Sequence, residues 1–211
     1  MARSADTRER VRAAGGLADA DAADLDSLRG AITEVREAYG RVDAIVNAVS
    51  ASRPPEGGGP FGGGPLADAT LAGFHGWTAA VAEQAFVFLS AGAAALRDQG
   101  RGGGTLIQVT GGSARRPSPG RGLWAAGAAA TRALVHAAAQ ELRGEGIHVA
   151  LLIVDGTIGS PKTERMTRDM APDAVADQGE VARAAVYLAQ QSPQALSHEL
   201  MVTPAGDRWV P

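Results

Sequence analysis

The chain has 211 residues, a formal net charge of −3, no cysteine and an apolar fraction of 45%. Such a chain suits one domain and can fill a core, mostly with Ala and Gly rather than with aromatic rings. The lack of a basic patch argues against a nucleic-acid partner, and zero cysteines exclude disulfides, cysteine nucleophiles and thiolate metal sites. No signal-peptide stretch opens the sequence, and no apolar run approaches the roughly 20 residues of a membrane span, so a soluble, cytoplasmic protein is expected.

In chain order, Arg8–Ala14 reads as a short helix ended by Gly15-Gly16, and Leu17–Ala22 as a strand rich in Asp and Ala. Asp24 is placed to cap a helix in which Leu25, Leu28, Ile32 and Val35 recur at helical spacing up to Gly40. Val42–Val49 is a compact apolar strand. Residues 52–65 form a Gly/Pro-rich loop with two Gly triplets. It lacks the Gly-Lys-Ser/Thr of a phosphate-binding loop and reads as a mobile lid or surface loop. Phe74–Leu96 is a long helix, Thr105–Thr110 an alternating strand, and Leu123–Arg143 an Ala-rich helix stopped by Gly144 and Gly146. Ile147–Val154 is almost continuously apolar, as a buried parallel strand should be. A helix over Glu180–Gln190, a strand over Glu199–Thr203 and a tail from Pro204 complete the chain. The alternation predicts an α/β fold with a parallel sheet.

Several segments resemble the short-chain dehydrogenase/reductase family. Asp21-Ala22-Ala23-Asp24 followed by Leu28 resembles the family's Asp-x-x-Asp segment. Gly40-Arg41-Val42-Asp43, running on to Asn47-Ala48-Val49-Ser50, is similar to its Gly-Arg-Ile-Asp-x-Leu-Val-Asn-Asn-Ala-Gly signature. Gly104–Thr110 resembles the strand that ends at the catalytic serine. Gly146–Pro161 resembles Gly-Ile-Arg-Val-Asn…Pro-Gly-x-Val-x-Thr-Pro, and Glu180–Ala189 the late helix. The order and spacing of these pieces hold from Arg12 almost to the end. The resemblance implies an incomplete Rossmann-like, doubly wound parallel sheet that lacks the first βαβ nucleotide-binding unit. Residues 1–22 would be a remodelled segment and residues 23–211 the single α/β domain.

Where this sequence departs from the family, the family's chemistry is affected. No Gly-rich cofactor turn follows a strand. The family's Asn, Ser, Tyr and Lys fall on Gln84, Gly111, Trp124 and Ala128. An indole N–H cannot replace the tyrosine acid, and Ala128 cannot grip a ribose. Asp21 and Asn47 are remnants of the cofactor-binding pattern, Asn47 chiefly bracing its strand. No cofactor is therefore expected, NAD(P) included, and no metal: His136, His148 and His198 show no ligand pattern.

Ser113, Asp155, Gln84 and Trp124 are candidates for the substrate cleft. Ser113 stands near the serine corner. Asp155 replaces the Pro of Pro-Gly and would act as acid or base, or simply cap the following turn. Trp124 is a stacking wall or filler. His75 borders the Gly-rich loop and would face the cleft or lie exposed and inert. Arg115 and Arg116 would take an anionic substrate or coenzyme A phosphate, or form a solvated loop. Thr163, Glu164 and Met166 fall in the segment that is a substrate lid in the family.

An apolar strand at Val42–Val49 without its family neighbours would expose an edge. That predicts association, as a homo-oligomer or as a heteromer with an intact relative, through helices bearing Ala91–Ala95 and Ala125–Ala130. The first functional reading is a non-catalytic pseudoenzyme subunit of that kind, with a possible small-molecule ligand in the old cleft. The second is a cofactor-independent cyclase, isomerase or lyase of biosynthesis. A folded but idle product of a truncated gene is a further reading, and an ordinary oxidoreductase stands below the first two.

Overall fold

The computed structural model describes residues 20–49, 59–100 and 103–207. Residues 20–22, the second half of the expected strand Leu17–Ala22, lead into a turn and form no strand. The expected helix Arg8–Ala14, the first half of that strand, and the expected fate of the segment that would replace the first βαβ unit lie outside the described residues. So does the first half of the Gly/Pro-rich loop.

Asp24 caps α1 (Leu25–Tyr39) by accepting from the Ser27 amide, and Gly40 ends it in the left-handed conformation that glycine adopts without strain. Asp21, placed in sequence with the cofactor pattern, builds the turn ahead of this helix. Its carboxylate accepts from the Ala23 amide at 3.0 Å and its own amide donates to the Ser27 hydroxyl at 2.9 Å. After β1 (Ala44–Asn47), the long α2 (Leu71–Asp98) starts three residues earlier than the apolar periodicity suggests, because Thr70 caps it through the Gly73 amide. β2 (Gly104–Gly111), α3 (Gly122–Leu142) and β3 (Ile147–Val154) follow. The chain ends through β4 (Thr157–Ile158), α4 (Glu164–Thr167), β5 (Val175–Ala176), α5 (Gln178–Ala189) and β6 (Glu199–Val202).

The main sheet has the order β1-β2-β3-β6 with every pairing parallel, and β4 pairs with β5 apart from it. Parallel strands need helices on both faces, and this sheet has them. Val149, Leu151 and Ile153 face Phe88, Leu89 and Leu96 of α2 and Val135 of α3. Ala150 and Leu152 face Leu188 of α5. The period-two alternation of a strand thus divides one continuous apolar run between two cores.

By length and composition α2 could cross a membrane, contrary to the expectation that no such segment exists. Here it is a core helix, packed on α1, α3 and β2. Some small residues of α2 and α3 serve packing within the chain, Gly92 against Leu106 and Gly127 against Val81, while Ala126 and Ala129 are exposed. A Cβ at Gly127 would lie 2.9 Å from the Val81 Cβ and 3.1 Å from the Trp77 carbonyl oxygen, so only glycine lets the two backbones come this close.

Candidate functional site

The register of the sheet builds the site. Gly111 at the end of β2 pairs with Val154 at the end of β3, so the next residues, Gly112 and Asp155, emerge side by side at the carboxyl edge. A Cβ on Gly112 would collide with the Asp155 carboxylate. The Asp155 amide donates to the Val202 carbonyl at 2.9 Å, which ties this corner to β6.

Beyond Gly112 the chain makes one tight turn, Gly112–Ala114, in which the amides of Arg115 and Arg116 both donate to the Gly112 carbonyl at 3.0 Å. That turn aims the two arginines apart. Arg116 donates to the Asp155 carboxylate, and both side chains are mostly withdrawn from water. Arg115 reaches Glu199, 3.7 Å away, which Arg132 and His136 also hold, at 2.6 and 3.0 Å. Burial would raise the Glu199 carboxyl, but the Arg132 bond and the surrounding positive charge outweigh it and hold this group below the usual carboxylate range. Sequence reasoning singled out Asp155 and Arg116 separately. Their pairing across 39 residues depends on the register.

The first turn of α3 packs on both the Gly112–Ala114 turn and a second one, Phe61–Gly63. The second half of the Gly/Pro-rich loop is therefore not the free surface loop the sequence suggested. Gly62 and Gly63 are buried, at φ of 84° and 99°, and the Gly64 amide donates to the Gly120 carbonyl at 3.1 Å. The loop holds Phe61 against Trp124 and Trp77, at ring-centroid distances of 5.3 and 5.4 Å, and the two indoles meet each other at 5.6 Å. Trp124 is thus part of a three-ring cluster; Phe61 and Trp77 went unnoticed in the sequence, where nothing marks them as its partners.

The other candidates are dispersed. Ser113 lies in the turn, partly exposed, and Gln84 is half-buried on α2. His75 is exposed and touches only its neighbour Phe74 among the ring contacts of the described residues. Ala128 is buried inside α3. Asn47 is buried at the end of β1, donating to the Gln108 side chain at 2.9 Å and accepting from the Val49 amide at 3.2 Å. The Thr163 amide donates to the Ser160 hydroxyl at 3.3 Å and its own hydroxyl donates to the Ile158 carbonyl at 2.5 Å, while Glu164 and Met166 are exposed on α4. Two clefts of about 410 Å³ hold none of these candidates: one is lined by Arg36, Arg41, Asp98 and Gln99, the other by Arg132, His136, Arg143 and Glu199.

Residues 2–206 match the family described as enoyl-(acyl carrier protein) reductase. No curated protein matches the sequence. Solved structures match the fold. An alcohol dehydrogenase from the archaeon Thermococcus sibiricus, complexed with 5-hydroxy-NADP, is 19% identical, with 91% of this chain and 75% of that one covered and a TM-score of 0.67. A metagenomic short-chain oxidoreductase in complex with NADP is 24% identical over 97% and 83% of the two chains, with a TM-score of 0.68. Sorbitol-6-phosphate 2-dehydrogenase from Erwinia amylovora is 18% identical over 90% and 78%, with a TM-score of 0.70.

These findings overturn two expectations, the pseudoenzyme reading with its cofactor-independent alternative, and the absence of NAD(P). Nearly the whole chain matches a reductase family, and its structural neighbours are oxidoreductases, two of them crystallised with NADP or its analogue. The physical reason is that substitution at four side-chain positions removes the family's proton donor and one ribose contact, not the sheet. It leaves in place the parallel strand ends on which a dinucleotide lies in such folds. The chain belongs to the enoyl-(acyl carrier protein) reductase family, within the short-chain dehydrogenase/reductase proteins.

Proposed function

We propose that this chain is an oxidoreductase that works with a nicotinamide dinucleotide at the carboxyl edge of its sheet, on a carbonyl or carbonyl-conjugated substrate. The observation that carries the reading is the converging edge itself, where Asn47, Gly111 and the Asp155–Thr157 turn end three adjacent parallel elements. Space above Gly111 is open, since the nearest atom to a Cβ placed there is the Val154 carbonyl oxygen at 3.9 Å. These residues fit the nicotinamide end of the cofactor. The family's Gly-rich pyrophosphate turn has no counterpart among the described residues. Bound there, the cofactor would supply or accept hydride.

What the chain's own residues do follows from the corner. Arg116 is a fixed guanidinium, oriented by Asp155, that can hold a carbonyl oxygen as negative charge develops on it. The Ser113 hydroxyl, in the same turn, would share that oxygen as a second donor. The indole N–H of Trp124 can donate a hydrogen bond but cannot deliver a proton. Proton supply thus differs from the Tyr-Lys route of the family, and we assign it to water admitted at the Ser113–Arg116 turn.

The test is a titration with NADPH and NADH followed by nicotinamide fluorescence, and then turnover of a short enoyl thioester and of a ketone. Saturable binding of one coenzyme and its oxidation by either substrate is the expected result. Failure of both coenzymes to bind would overturn the proposal.

A further inference from the structure

Phe61 is half exposed, at 54% of its full accessible area, although it touches the fully buried Trp77. The chain goes to some length to keep it there. Gly62, Gly63 and Gly64 all adopt positive φ, and a Cβ on Gly62 or Gly63 would run into Arg121 or Leu123. Side chains rarely tolerate such backbone, so this triplet is what lets the loop lie flat on the start of α3. Phe61 then meets Trp124 with its plane tilted 39° and Trp77 edge-on at 79°. Trp77 is fully buried and fixes the floor, while Trp124 is half-buried and Phe61 open. The Arg121 guanidinium lies over the Phe61 ring, 5.6 Å from its centroid. Leu66, Leu71 and Phe74 are exposed on the adjoining loop and the first turn of α2, extending an apolar rim of the kind that marks binding sites.

We infer that Phe61 and Trp124 form a stacking face for a planar aromatic group of the substrate, with Arg121 receiving an anionic or carbonyl oxygen carried by that group. This rests on the proposed oxidoreductase function and names its substrate class. Ring faces prefer other rings in offset or edge-to-face contact, and a flat guanidinium pairs with a carboxylate while it stacks. A saturated acid can pair with Arg121 and bury area on these rings, but it gains no ring–ring contact. Trp124 stands in sequence where the family's acid stands, so a ring stacked on it lies beside the Ser113–Arg116 corner that the first turn of α3 also touches.

The experiment uses the intact chain, with naphthoate as the planar probe and decanoate as the saturated one, followed by tryptophan fluorescence and calorimetry. Naphthoate should bind at least about tenfold tighter than decanoate, Phe61→Ala should remove most of that preference, and Phe61→Tyr should keep it. Phe61→Tyr keeps the ring against the buried Trp77, and the urea midpoint of Phe61→Ala shows whether losing that contact loosens the core. Equal binding of the two probes, tighter decanoate, or a preference untouched by Phe61→Ala would overturn the inference. An NADPH titration of the same samples separates the two ideas. Coenzyme binding without aromatic preference sinks the inference and leaves the function standing. Aromatic preference without coenzyme binding supports the stacking face and sinks the oxidoreductase reading.

Discussion

β3 and β1 are both apolar parallel strands, but their surroundings differ. All eight residues of Ile147–Val154 are buried, because β2 and β6 flank the strand and helices cover both faces. Of Ala44–Asn47 only Asn47 is buried, and Val46 is 46% exposed. Among the described residues β1 pairs with β2 alone. Apolar sequence therefore says that a strand can be buried, while the number of neighbours decides whether it is. The functional groups follow the same division. Arg116, Asp155, Ser113 and the aromatic cluster stand on the β2–β3 side, where the backbone is held from both flanks.

The sharpest way to break this comparison is to truncate a side chain in each strand. Leu152→Ala should cost about 3 kcal/mol, the usual range for a buried Leu, whereas Val46→Ala should cost less than about 1 kcal/mol. Urea unfolding midpoints measure both, and equal losses would show that β1 is as enclosed as β3. The corner at the end of β3 gives the next contrast. Removing the Arg116 charge as Arg116→Gln should lower turnover about 100-fold, as loss of a charge-stabilising donor does. Arg115→Gln, aimed instead at Glu199, should change it less than about threefold. Similar effects would mean that the turn does not separate the two arginines as described.

A smaller loss is expected in the loop on α3. Gly63→Ala places a side chain at positive φ and against Leu123, and should cost about 2 kcal/mol. The same variant should shift tryptophan emission to longer wavelength as Phe61 leaves Trp124; an unchanged spectrum would contradict the ring cluster.

The smallest effect concerns pH. Burial pushes the His148 imidazole below its ordinary value, the bond to the Ser197 carbonyl works the other way, and the neighbouring His198 lowers it further. The unfolded chain then takes up a proton before the folded one does. Stability from this group is intact above about pH 6.5 and is lost as pH falls from there through the folded value. Thermal midpoints measured from pH 8 to 5.5 should fall toward acid, and His148→Gln should flatten that slope. A slope unchanged by the substitution would assign it elsewhere.

The same contrast explains what could be read from the sequence. Ile147–Val154 was legible to the residue, since a continuous apolar run closed by Gly146 admits little else. The ends of α1 were legible in Asp24 and Gly40. The start of α2 was missed because Leu71 is exposed and does not extend the apolar stripe, while the capping Thr70 lies outside it. The two-residue strands β4 and β5 leave no periodic signal. At the site, Asp155, Ser113, Arg116 and Trp124 stood out singly, as departures from a family pattern or as charges near one. Their grouping was not visible, because it comes from the Gly111–Val154 register and from the packing of Gly62 and Gly63 on Arg121 and Leu123. Glycine triplets read as freedom in a sequence; here they allow close approach. The same weighting of single positions over the shared strand ends led to the reading without a cofactor.

The most direct test of the account is the affinity for NADPH of the natural chain and of Gly111→Val. Gly111 has ordinary extended backbone and open space at its Cβ, so valine leaves the fold intact and only occupies the edge. The account predicts saturable binding by the natural chain and a loss of at least about tenfold in the variant, or about 1.4 kcal/mol. No binding by the natural chain, or equal binding by both, would contradict the placement of a nicotinamide cofactor on this edge.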